Sequence, residues 1–391
     1  MSNTITVGIL GAALNNGNLG VNALGFCLLD ATVKTAARHE KNVKCLFFST
    51  DRKEDIDLYV RELGIQDYEI HLPISLKKPP ILLNFIRAIA SCDLVIDITG
   101  GDSFSDIYGN NRFIRETVGK FIAEAKSRIL LAPQTIGPFS TAMNAHIAAL
   151  AINKAGVAFA RDTMSYEYTK KIARKTKVVL TSDLAFELPY DSTPRITGDG
   201  LKIGLNISAL MWNGGYNRSN QFGLTVDYKA YVYGLMEQLR KIENATVYLI
   251  PHVVHQLDVE NDFLVCREIH EKYPETVLLG PFKTPMEAKS YIKDMDVFMG
   301  GRMHSTIAAA STGVAVIPVS YSRKFEGLYH SIGYTNLVNC GTLDTQSAID
   351  QTMELIQQRE RLTEEVRKSA AEAKGRLQEF YSYLDGIISA L

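Results

Sequence analysis

Short apolar, β-rich runs alternate with amphipathic stretches along this chain, and the alternation runs through twice. Thr6–Leu10, Val43–Ser49, Leu94–Thr99, Ile129–Ala132 and Val157–Ala160 read as strands in the first half. Lys202–Ile207, Thr246–Pro251, Thr276–Leu279, Asp296–Met299 and Val314–Val319 read as strands in the second. Strands separated by helical patterns predict parallel sheets with helical crossovers. The halves also share a local pattern, since Asp93-Leu-Val-Ile-Asp-Ile-Thr-Gly-Gly101 resembles Asp296-Val-Phe-Met-Gly-Gly301. Each double glycine stands roughly 90–95 residues after its half's opening strand, as an internal repeat requires.

The predicted fold is therefore α/β: two Rossmann-like domains facing across a cleft at their strand C-termini. The length, 391 residues, suits two domains of about 150 residues better than one. The first domain is expected over 1–190. A stretch rich in Pro, Gly, Ser, Thr and Asp, 191–200, lacks either periodicity and reads as a linker. The second domain follows over 201–344. Residues 345–391, rich in Glu, Gln, Lys, Arg and Ala, predict two terminal helices, one of which is expected to cross back to the first domain.

Forty-two basic against forty-three acidic side chains remove any general attraction for nucleic acid or an anionic surface, so an anion site has to be local. The five cysteines, Cys27, Cys45, Cys92, Cys266 and Cys340, form no CxxC pair and read as reduced core thiols. The first twenty residues lack the basic region of a signal peptide, and the longest apolar runs fall short of the roughly 18 residues of a membrane span. A cytoplasmic location is expected, with peripheral contact to a membrane left open. No metal-binding or serine-hydrolase motif occurs, and no cofactor is implied.

The most informative segment is Gly300-Gly-Arg-Met-His-Ser-Thr-Ile-Ala-Ala-Ala-Ser-Thr-Gly313, which follows a strand and reads as a helix closed by Gly313. Free N–H groups and the positive end of the helix dipole converge at its first turn, where Arg302 can grip a phosphate or carboxylate. His304 stands one residue inside that turn. Lys324, after the next strand, can add a third cation, although a lone lysine is more often a solvated surface charge. Arg161, delivered from a strand, needs an anionic partner: a ligand, or Asp162 or Asp183 in a structural pair.

The glycine-rich loop after the first strand holds Asn16 and Asn18, which can bond sugar hydroxyls or simply close a turn. It matches neither a dinucleotide fingerprint nor a Walker loop. Asp102 and Asp106 follow the first double glycine, where a carboxylate can accept a proton from a hydroxyl or cap a helix. Gln134 ends another strand. His252 reads as a loop histidine rather than a catalyst, and Met211-Trp-Asn-Gly-Gly-Tyr216 as a loop anchor more than a sugar-stacking surface.

In succession, Asn16-Gly-Asn-Leu-Gly20, Thr99-Gly-Gly-Asp102, Gln134-Thr-Ile-Gly-Pro138, Ala160-Arg-Asp162, Ser182-Asp-Leu-Ala-Phe186, Gly301-Arg-Met-His304 and Tyr321-Ser-Arg-Lys324 resemble the polysaccharide pyruvyl transferase family over roughly residues 5 to 335. The resemblance implies a fold similar to B-type glycosyltransferases, with phosphoenolpyruvate as donor. A sugar of a cell-surface polysaccharide, or a lipid-linked oligosaccharide precursor, would be the acceptor. It assigns the acceptor to the first domain and the donor anion to the second. By that resemblance Arg161, Arg302, His304 and Lys324 look like the donor set. From the residues' own chemistry His304 is the candidate acid, Asp102 the first candidate base with Asp106 and Asp183 behind it, and Asn16, Asn18, Asp106 and Gln134 are candidate acceptor contacts. Asn18 departs from the family, where many relatives carry aspartate. Two alternatives remain: a glycosyltransferase or epimerase acting on a nucleotide sugar, for which Glu326 is a weak candidate ribose ligand, and a carbohydrate-binding member without turnover.

Overall fold

The computed structural model describes residues 3–101, 104–254 and 258–391, the side chains of Arg323 and Lys324 apart. The chain divides into two compact units. One takes in the residues up to Asn16, Val21–Leu184 and Ala373–Leu391. The other takes in Gly17–Gly20 and Ala185–Glu372.

The first unit holds strands β1 (Thr4–Leu10), β2 (Asn42–Phe48), β3 (Asp67–His71), β4 (Leu94–Asp97), β5 (Ile129–Gln134), β6 (Val157–Ala160) and β7 (Lys177–Leu180). They form one parallel sheet in the order β3-β2-β1-β4-β5-β6-β7. The second unit holds β8 (Leu201–Asn206), β9 (Ala245–Leu249), β10 (Val277–Leu278), β11 (Val297–Gly300), β12 (Ala315–Ser320) and β13 (Val338–Asn339). Its parallel sheet runs β10-β9-β8-β11-β12-β13, the same winding. In each sheet the order reverses beside the opening strand, between β1 and β4 and between β8 and β11. Such switch points leave a crevice at the strand C-termini where doubly wound folds place ligands.

The repeat seen in the sequence has a physical basis. Asp93 accepts from the Thr6 amide at 2.8 Å and donates its own N–H to the Thr6 carbonyl at 2.9 Å. Asp296 does the same to Lys202, at 2.7 and 2.9 Å. Two residues on, Gly8 and Gly204 lie where a Cβ would stand 2.8 Å from Cys92 Sγ and 2.6 Å from Phe298 Cδ2, so each opening strand needs its glycine. β4, β5, β6, β11 and β12 are buried at every residue, as strands covered on both faces must be.

Every predicted strand is present. The additional ones, β3, β7 and β13, are polar or short and lie at sheet edges, where no apolar run is needed. The five cysteines lie in the interior. Residues 191–200 carry neither helix nor strand. The two terminal helices are Thr345–Gln357 and Arg359–Ala390. Leu362, Val366, Ala370, Ala373, Leu377 and Phe380 form a buried stripe along the latter, and the Phe380 ring meets Phe159 at 5.3 Å within the first unit.

Candidate functional site

In the second unit the β8/β11 switch point is organised by one buried ion pair. Arg302 leaves β11 as the N-cap residue of the helix Met303–Thr312, which Gly313 closes in the left-handed conformation at φ 82°. Its Nε donates to both carboxylate oxygens of Asp262 at 3.1 and 3.2 Å, and its Nη2 donates to Asp262 Oδ1 at 2.8 Å and to the Glu260 carbonyl at 2.9 Å. The Arg302 amide donates to Asn206 Oδ1 at 3.0 Å, fixing the helix start to the end of β8. Burial alone would lower the pKa of Arg302, but the charge and hydrogen bonds of Asp262 raise it above its ordinary value. The guanidinium is a permanent cation in a dry setting, at the positive end of that helix.

Asp262 is fully buried and also accepts from the amides of Ala209 at 2.8 Å and Val253 at 3.0 Å. That carboxylate therefore joins the loops after β8, β9 and β11. His252, 2% exposed, ends the β9 loop, and neither of its ring nitrogens has a hydrogen-bond partner among the described residues. Burial first, then charge on the neighbouring His304 and Arg302, pushes its pKa down to about 3. It is a neutral imidazole beside the predicted His304.

The turn at Asn18 packs into this cluster. Leu19 N donates to the His252 carbonyl at 3.1 Å, Asn18 pairs with Val253 in an isolated antiparallel bridge, and Asn18 Oδ1 accepts from Gly20 N at 3.0 Å. A Cβ on Gly20 would overlap the His304 imidazole and stand 2.6 Å from His304 Cβ. Rotating the ring cannot relieve a clash with Cβ. Gly20→Ala is expected to displace His304 and to destabilise the unit by about 1–3 kcal/mol, as overpacking does. Chemical denaturation and the His304 ring resonances would show both effects, and an unshifted imidazole would refute the contact.

In the first unit the polar groups gather at the ends of β4, β5 and β6. Arg161 is 2% exposed and donates from Nη1 to Asp183 Oδ2 at 2.7 Å and from Nε to Thr135 Oγ1 at 2.9 Å. Of the two structural partners considered in the sequence, Asp183 takes the arginine, while Asp162 caps the helix Thr163–Ile172 through the Ser165 amide at 2.8 Å. Gly101 makes room for this, because a Cβ there would stand 3.2 Å from Arg161 Nη1. Gln134 is fully buried and donates to the Asp97 carbonyl at 3.0 Å. Asp97 in turn faces Lys120, 1% exposed, at 3.0 Å. Thr99, held at φ 40° where a β-branched residue is strained, donates to Asp97 and accepts from Lys120 at 2.7 Å.

The remaining predicted residues scatter. Asp106 accepts from the Ser140 amide and hydroxyl and from Asn144 Nδ2 at 2.7 Å, so it ties two helix starts together. Asn16 is exposed, its amide donating to Asn22 Oδ1 at 3.3 Å. Asp102 lies outside the described residues. Lys324 lies in the first turn of the helix Arg323–Ser331, its side chain outside the description. Trp212 is buried, edge-on to Tyr233 at 5.5 Å, and with Phe222, Asn220 and Lys229 it lines a crevice of about 400 Å³. Among the described residues no group of three or more His, Cys, Asp or Glu is placed to hold a metal ion. Sequence reasoning missed Asp262 and Lys120, and His252 lies in a loop as read. The available signal was a lysine on the inward stripe Phe113, Thr117, Lys120.

The family model for polysaccharide pyruvyl transferase matches residues 18–323. No curated protein matches the sequence. Among solved structures, Anabaena Alr3699/HepE in complex with UDP-glucose is similar at a TM-score of 0.60 and 14% identity, over 99% of this chain and 100% of that one. UDP-GlcNAc 2-epimerase from Neisseria meningitidis bound to UDP-GlcNAc is similar at 0.61 and 12%, over 97% and 99%. These likenesses show the fold: two parallel-sheet α/β domains of the kind found in B-type glycosyltransferases.

Proposed function

The chain belongs to the polysaccharide pyruvyl transferase family and is a transferase, and on that basis we propose that it moves a pyruvyl group from phosphoenolpyruvate to two hydroxyls of one sugar. The acceptor in this reading is a cell-surface polysaccharide or its lipid-linked precursor. The observation that carries it is Arg302 at the start of the helix Met303–Thr312, a buried cation locked by Asp262 at the positive end of the helix dipole, with His304 in the same turn. Phosphoenolpyruvate brings a phosphate and a carboxylate on three carbons, and such a cradle suits one of them. Arg161, Arg302, His304 and Lys324 are the proposed donor contacts, with Asn16, Asn18, Asp106 and Gln134 toward the acceptor.

The chemistry balances without a cofactor. A proton adds to the methylene carbon, and the oxocarbenium-like carbon that results is attacked by one sugar hydroxyl. The bond from that carbon to the phosphate oxygen then breaks, and a second hydroxyl closes the ketal. Of the two hydroxyl protons, one replaces the proton spent on the methyl group and the other leaves with phosphate. His304 is the proposed acid and Asp102 the proposed base.

Glu326 accepts from Ser320 and Asn339, which engages the carboxylate that a nucleotide-sugar reading would assign to a ribose. The test is incubation with phosphoenolpyruvate and a panel of sugar and lipid-linked acceptors. One inorganic phosphate is expected per ketal formed, and His304→Gln is expected to lower turnover on the order of 10²-fold with donor affinity nearly unchanged. Turnover of a UDP-sugar with none of phosphoenolpyruvate would reverse the reading. Equal losses in turnover and affinity would make His304 a binding group only.

A further inference from the structure

From a second surface, on the first unit, we infer a docking face for an anionic lipid bilayer. The segment Ile70–Cys92 carries Lys77, Lys78 and Arg87 and no acidic residue. It leaves β3 at its C-terminal end and enters the helix Pro79–Ala90, whose inward side buries Phe85, Ala88 and Ile89. Its exposed apolar residues lie in the connection before the helix and in the helix's first turns. Leu72 is 55% exposed, Leu76 45% and Leu83 47%, and Pro79 and Pro80 are exposed with them.

The neighbouring helices continue the same rim. In a parallel α/β sheet every crossover helix starts at the C-terminal edge of the strands, so the starts of adjacent helices line up. The helix Asn110–Lys126 packs beside Pro79–Ala90, with Gly119 against Phe85. Ile107 and Tyr108, just before it, are 54% and 42% exposed, and Arg112 and Arg115 are exposed in its first turns. The next helix, Ala142–Ala155, is tied to it by Asn144 Nδ2 donating to Asn110 Oδ1 at 3.0 Å. Its Met143 is 67% exposed.

Single exposed apolar residues are ordinary, but several at the starts of three adjacent helices form a patch that needs a partner. Lys77 and Lys78 stand among them with no acid in the segment 70–92 and select that partner's charge, whereas Arg87 lies in the last turn of its helix and Arg112 and Arg115 are engaged by Glu116. The chain as a whole is nearly neutral, so this is local design and not general attraction. An interfacial bilayer contact pairs apolar insertion with lysine and arginine on lipid phosphates. No helix among the described residues is long and apolar enough to cross a membrane, so contact here means lying on one. The inference is independent of the donor chemistry and would bring the enzyme to a lipid-linked acceptor if that reading holds.

The test is flotation of the full chain with vesicles containing phosphatidylglycerol, against vesicles of phosphatidylcholine alone. Retention is expected on the anionic vesicles and weak or absent on the neutral ones. Lys77→Gln with Lys78→Gln, and separately Leu76→Ser with Leu83→Ser, should each weaken retention on the order of tenfold, and added salt should mimic only the lysine pair. All four side chains are exposed, so the variants should keep the fold, which circular dichroism checks. No retention, or retention unchanged in both variants, overturns the inference. So does equal retention on neutral vesicles, or self-association that Leu76→Ser with Leu83→Ser dissolves in the absence of lipid retention. Phosphate release is measured separately, so failure of this inference and failure of the pyruvyl transfer reading give different results.

Discussion

Asp262→Asn is expected to cost the second unit about 3–5 kcal/mol and to abolish turnover, although Asp262 is itself too deeply buried to touch a substrate. Asp262 is surrounded by donors alone: the Arg302 guanidinium, the Asn206 side-chain amide and the backbone amides of Ala209, His252 and Val253. An amide of the same shape removes the charge opposite Arg302 and turns two N–H groups toward other N–H groups. Both changes leave buried polar groups unmatched. Trp212, the single tryptophan of the chain, is buried in this unit and reports its unfolding by fluorescence in urea. Combining Asp262→Asn with Arg302→Met removes the stranded cation, so the double variant should be more stable than the sum of the single losses by about 2 kcal/mol, with activity still absent. Additive losses would mean that the two side chains do not depend on each other.

This network bears on how far the site could be read from the chain. Arg302 and His304 were legible, because a double glycine, a strand end and a helix start are local features. Arg161 and Arg302 are 2% and 7% exposed, each against a carboxylate that is fully buried. Asp183 lies close enough in sequence to be considered in advance, whereas Asp262 is forty residues before Arg302 and opens a helix in another crossover. Only the folded sheet brings them together.

The same distinction separates the strands. Central strands declared themselves by unbroken apolar runs, since both their faces are covered. The edge strand β3 reads Asp-Tyr-Glu-Ile-His and alternates into solvent, so nothing in its composition demanded burial. Gln134 and Lys120 show the converse. Each is a polar residue in an element whose pattern is correct, and its buried hydrogen bonds become visible only when Asp97 and the strained Thr99 are placed beside it.

His252→Gln should flatten the loss of stability of the second unit in acid. In the unfolded chain an imidazole titrates near 6.5, whereas burial, with charge on His304 and Arg302, holds folded His252 at about 3. Between those values the unfolded chain binds a proton that the folded unit refuses. Stability from this group is therefore complete above about pH 6.5 and falls as pH drops toward 3, by about 1.4 kcal/mol per pH unit and about 4–5 kcal/mol in all. Because neither ring nitrogen has a partner among the described residues, glutamine breaks no hydrogen bond at this position, and the cost of burying its amide is the same at every pH and leaves the slope to report the titration. Urea unfolding followed through Trp212 at intervals from pH 7 to pH 4 should show a slope shallower by nearly one proton in the variant. An unchanged slope would mean that folded His252 takes up its proton over the same pH range as the unfolded chain, so that burial does not hold it neutral.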